Sequence, residues 1–83
     1  VNRKKLFQQL QHGALRNKNF LDILSLAEGF GFRQKRVSGS HYIYIHPEVP
    51  EPLNFQDENG EAKAYQIRQL LKLVKDYNLK LED

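Results

Sequence analysis

Hydrophobic positions along the chain change period twice. Leu6, Phe7, Leu10 and Ala14 recur at helical spacing and predict a first helix over Arg3–Ala14, with Asn2 as N-cap and Gly13 near its exit. Phe20, Ile23, Leu24 and Ala27 then fall at i, i+3, i+4 and i+7 behind Asn19, and Gly29 and Gly31 stop that second helix. From Phe32 the pattern becomes that of strands. Phe32–Val37 and His41–His46 read as a β-hairpin closed by the polar turn Ser38-Gly39-Ser40. Pro47, Pro50 and Pro52 end the second strand and keep the connection extended, so a third, short strand is expected at Leu53–Gln56. Asp57-Glu58-Asn59-Gly60 reads as a turn. The helical period returns from Tyr65 to Asn78, where Ile67, Leu70, Leu71, Val74 and Tyr77 form one stripe. The expected fold is α+β: a three-stranded antiparallel sheet with helices packed on one face.

Eighty-three residues make one small domain, residues 1–83, with 40% apolar and 28% charged residues, which excludes a disordered chain. The absence of cysteine removes disulfide frameworks, thiolate zinc sites and thiol catalysis. The longest apolar run is Tyr42–Ile45, against the about 20 residues a membrane span needs. Arg3, Lys4 and Lys5 imitate the start of a signal peptide, but Gln8, Gln9 and Gln11 break the apolar stretch that such a peptide needs next. A reduced, cytoplasmic setting is therefore the default expectation.

Charge changes the picture once it is divided along the chain. Residues 1–47 carry eight Lys and Arg against Asp22 and Glu28, whereas residues 48–61 hold five acids and no base. The modest total of +3 thus conceals a basic surface and an acidic loop. Basic surfaces gather polyanions such as nucleic acid, although solubility alone also accounts for them.

Three histidines are the candidates for acid–base chemistry near neutral pH. His12 lies off the first helix's apolar stripe and reads as a surface residue. His41 and His46 share a strand at an odd separation, which sends them to opposite faces about 16 Å apart, so they cannot work on one phosphate or hold one metal ion. His41 is the better candidate. It follows a turn in which Gly39, lacking a side chain, lets backbone amides approach a phosphate, and Arg33, Lys35 and Arg36 precede that turn. A histidine so placed suits RNA cleavage, where the 2′-hydroxyl loses a proton and the leaving oxygen gains one. The alternative is a histidine that merely closes the hairpin. On alternation, Ile43 and Ile45 share the face of His41 and are expected to be buried, with His41 escaping at the strand end. Tyr42, Tyr44 and His46 then offer the other face for stacking on bases or for a protein partner.

The run Arg36-Val37-Ser38-Gly39-Ser40-His41, followed by Ile43 and Ile45-His46-Pro47, resembles the central segment of the HicA family of bacterial type II toxins. Tyr65-Gln66-Ile67-Arg68-Gln69-Leu70-Leu71 is similar to the start of that family's last helix, and Leu26–Gly31 to the end of its first. The resemblance spans roughly residues 20–77. It implies a fold like a double-stranded RNA-binding domain over residues 19–78, with residues 1–18 adding an N-terminal helix. It also implies a toxin endoribonuclease that cleaves mRNA, with the active-site histidine at His41 and a HicB-type antitoxin covering it. Gly39 and Ser40 would shape the phosphate turn, and Lys35, Arg36, Lys63 and Arg68 would hold the RNA backbone. No metal or other cofactor is expected. The chain departs from relatives that carry a Val-Pro-x-His third strand: here it reads Leu53-Asn54-Phe55-Gln56, and the acidic loop after it is expected to face away from RNA. Two rivals stay open: a module that grips structured RNA without cutting it, and a domain whose sheet face docks a protein.

Overall fold

The computed structural model describes Val1–Glu82. Its elements are α1 (Arg3–Gln11), α2 (Phe20–Gly29), β1 (Arg33–Ser38), β2 (His41–His46), β3 (Val49–Glu58), β4 (Glu61–Ala62) and α3 (Ala64–Asp76). The sheet is antiparallel in the order β1-β2-β3-β4, so it has four strands where the sequence pattern predicts three.

Local chemistry sets the helix ends. The side chains of Asn2 and Asn19 accept hydrogen bonds from the backbone N–H of Lys5 and Asp22, as N-caps do. All three helices close in Schellman motifs. A residue with positive φ (Gly13, Gly31 or Asn78) follows the C-cap, and the next N–H reaches back to a carbonyl of the last turn: Ala14 to Gln9, Phe32 to Ala27, Leu79 to Val74. Ala14 therefore lies outside the first helix, because Gly13 at φ 91° has already reversed the chain. Asn78 likewise caps α3 from outside it.

Two features of the sheet differ from expectation. Pro50 and Pro52 sit inside β3, which runs over ten residues. Between the pairs Tyr44↔Leu53 and His46↔Val49 the register shifts, and the prolines occupy that irregular stretch, whose other side β4 does not reach because it pairs only with Asp57 and Glu58. Beyond Gln56, β3 continues into a tight hairpin with β4. Asn59 and Gly60 both have positive φ, the pattern of a type I′ turn.

The helices cover one face of the sheet. Leu6 and Leu10 of α1, Phe20, Ile23 and Leu26 of α2, Tyr44, Leu53 and Phe55 of the sheet, and Ile67, Leu70 and Leu73 of α3 belong to a single buried cluster. Residues 1–18 thus contribute to the same core as residues 19–78. The tail after α3 also docks, with Leu79 and Leu81 partly buried and the Glu82 N–H bonded to the Gly29 carbonyl at 2.8 Å.

Candidate nucleic-acid interface

The register of β2 decides which side chains meet the core, and it reverses the expected faces. Tyr42 packs edge-on against Phe20, Tyr44 against Phe55 and His46 against Phe32, all on the helix side. Tyr44 is only 2% exposed, so it offers bases no stacking surface. Its hydroxyl donates to Glu28 Oε2 at 3.2 Å and more weakly to Gln34 Oε1 at 3.5 Å. Burial first, and then the neighbouring Glu28 carboxylate, push its pKa up to about 12. His46 is a structural residue: its Nδ1 accepts the Glu48 N–H at 3.0 Å, and its ring lies against Gly31. A Cβ on Gly31 would come within 2.8 Å of His46 Nε2, so close packing as well as positive φ calls for glycine there.

His41, Ile43 and Ile45 consequently face outward on the uncovered side of the sheet. His41 is exposed, as expected at the strand end, whereas Ile43 is only half-buried and Ile45 is 42% exposed, contrary to the burial expected of these isoleucines. The cause is that both faces of the strand are apolar, and the larger aromatic residues fill the helix side. His41 pairs across the sheet with Ser38 on β1 and with Gln56 on β3, and its Nδ1 lies 3.1 Å from Asn54 Oδ1. His12, in contrast, sits exposed at the end of α1, bonded to the Gln8 carbonyl.

The basic residues of β1 divide. Its register with β2 runs Arg33↔Ile45, Gln34↔Tyr44 and then Arg36↔Ile43, which leaves Lys35 as an extra, bulged residue. The bulge turns Arg36 and Ser38 to the side of Ile43 and His41. Arg33 is bent back, its guanidinium donating to the carbonyls of Glu28 and Phe32 at the end of α2. Gly39 and Ser40 form the two-residue hairpin loop. Gly39 alone has positive φ, as in a type II′ turn, and the space around it is open.

Lys63 and Arg68 lie elsewhere. Lys63 precedes α3 at the sheet edge, paired with Glu58 at 3.2 Å and 6.0 Å from the Tyr65 ring centre. Arg68 is exposed on α3, in the layer behind the sheet, and does not join the His41 face. The acidic loop borders the hairpin turn instead of pointing away from it, because the Asp57 N–H bonds the Ser40 carbonyl at 2.9 Å. Its charge is partly occupied: Asp57 Oδ1 accepts from Gly60 N–H and Glu58 pairs with Lys63.

Sequence reasoning passed over two residues. Asn54 contacts His41 directly, and buried Gln66 accepts the Gln56 N–H at 2.7 Å, tying α3 to the strand position opposite His41. An exposed asparagine and a helical glutamine carry no signal of their own; only the strand pairing brings them to the site.

Among the described residues, no helix is long and apolar enough to cross a membrane. No curated protein and no solved structure matches the chain. A family model, described as the HicA toxin of bacterial toxin–antitoxin, matches residues 21–75, from α2 through nearly all of α3. That span exceeds half of the chain: it belongs to the HicA toxin family, and membership implies an antitoxin partner.

Proposed function

We propose that the chain is a toxin endoribonuclease that cleaves mRNA in the cytoplasm, with His41 as its general base. The observation that carries this reading is the position of His41. It stands exposed on the uncovered sheet face, beside the Gly39–Ser40 turn, with Arg36 brought to the same face by the β1 bulge. A helix, an antiparallel sheet and a second helix on one side of it form the layout that we take as similar to a double-stranded RNA-binding domain. Arg36 and Lys35 hold phosphates by charge, and the glycine at position 39 lets the turn approach the backbone closely. His41 takes the proton of a 2′-hydroxyl as that oxygen bonds to phosphorus. The P–O5′ bond breaks, and the departing oxygen takes a proton from water. These residues need no metal for that step. A HicB-type antitoxin that covers His41 would silence it.

The test is RNA integrity after incubation with purified protein in EDTA, wild type beside His41→Ala. Fragmentation by the wild type, reduced by about 10²–10⁴-fold in the variant, is expected for the loss of a general base. Equal fragmentation by both proteins would overturn the role of His41. Intact RNA in both lanes would overturn the ribonuclease reading and favour a module that grips RNA without cutting it.

A further inference from the structure

We infer that Asn54 is a positioning residue: it holds the His41 imidazole as its Nδ1–H tautomer, which leaves Nε2 as the basic nitrogen. The inference rests on the ribonuclease reading above.

An amide oxygen can only accept a hydrogen bond, so the 3.1 Å contact with Asn54 Oδ1 requires Nδ1 to be the donor. In a neutral ring the other nitrogen then carries the lone pair, and the bond made at one nitrogen sets the chemistry of the other. The register makes the contact possible. Asn54 pairs with Ile43 and is two residues from Gln56, the partner of His41, so both side chains leave the same face on a short diagonal. Two bonds hold β3 in that register beside His41: Asp57 N–H to the Ser40 carbonyl, and Gln56 N–H to Gln66 Oε1.

The chemistry of the acceptor matters as much as its place. Ser38 and Arg36 face His41 from β1, and Asn54 and Gln56 from β3. Asp57 is occupied at Gly60, and Lys63, near the start of α3, is paired with Glu58. No carboxylate among these groups bonds the ring. A neutral acceptor orients the imidazole without adding the negative charge that would favour its protonated form.

Long-range proton–nitrogen correlation spectra of the free protein read the tautomer without any RNA. In the wild type, neutral His41 is expected to show a protonated Nδ1 and a bare Nε2. In Asn54→Ala the population moves toward Nε2–H. Because Asn54 is exposed, this variant keeps its fold. Its kcat is expected to fall about tenfold with KM unchanged, well short of the loss of a base. Asn54→Asp retains the Nδ1–H tautomer and the plateau kcat, moves the rate profile to higher pH, and raises KM by repelling RNA. Unchanged spectra in Asn54→Ala, or an unchanged kcat, would overturn the inference. A tautomer switch together with no cleavage by the wild type would instead overturn the ribonuclease reading, and the base role with it, while the hydrogen bond itself stood.

Discussion

Tyr44 shows how one residue couples packing to protonation. Its ring lies in the core against Phe55 while its hydroxyl reaches Glu28. In the unfolded chain the phenol ionises near its ordinary value of 10, whereas in the folded protein it keeps its proton to about 12. A raised folded pKa means that the folded state binds more protons across this window. The contribution is therefore complete below pH 10 and is lost as pH climbs toward 12. Urea unfolding at stepwise pH is expected to show stability falling over that range in the wild type and a flatter profile in Tyr44→Phe. Some slope remains in the variant, because Glu51, bonded to the exposed Tyr77 hydroxyl, raises that pKa as well. An identical slope in both proteins would show that Tyr44 does not titrate as described. The histidines were separable from sequence only by parity. The odd spacing of His41 and His46 does place them on opposite faces, but which face meets the core depended on Tyr42 and Tyr44 outcompeting Ile43 and Ile45 for the helix side.

At the scale of the element, the β1 bulge has the largest consequence for the site. If Lys35 took a regular ladder place opposite Ile43, alternation would pair Arg36 with Tyr42 and aim its side chain toward the helices; the bulge keeps Arg36 opposite Ile43 on the open face. Deleting Lys35 closes the bulge and keeps Arg36 opposite Ile43, so it is expected to weaken RNA binding no more than Lys35→Ala does. Arg36→Ala should lower affinity across RNA sequences and reduce the salt dependence by about one phosphate contact. Filter-binding titrations across salt concentrations measure both effects, and a deletion clearly worse than Lys35→Ala would refute this account of the bulge. A bulge has no dependable signature in Arg-Gln-Lys-Arg, since every residue there tolerates either face. The Asn59-Gly60 pair, in contrast, is a strong turn signal, and the turn expected at residues 57–60 is there. The two-residue β4 beyond it is not among the three expected strands. Pro50 and Pro52 misdirect by their usual meaning. They are admitted inside β3 because the register shifts there and β4, paired only at Asp57 and Glu58, does not flank that stretch.

For the whole molecule, α1 is part of the core although it lies outside the segment matched by the family model. Phe7 packs edge-on against Phe30 at 4.9 Å, Leu10 is almost wholly buried, and Arg3 Nε bonds Ser25 Oγ at 3.0 Å. Leu10→Ala is expected to cost about 2–5 kcal/mol, the range for emptying a closed apolar site. Urea denaturation measures it, and a loss below about 1 kcal/mol would mean that α1 is an appendage. From the sequence alone came the order of elements apart from β4, the asparagine caps of α1 and α2, the hairpin turn at Gly39 and the α+β class. These are decided by neighbours a few residues apart, where capping geometry and backbone freedom act directly. Tertiary structure alone decided which face of β2 is covered, the turn of Arg36 to the side of His41, the burial of His46 and the meeting of His41 with Asn54. Each of those depends on competition between comparable apolar residues or on strand register, and both are settled only when the sheet pairs and the helices close over one side.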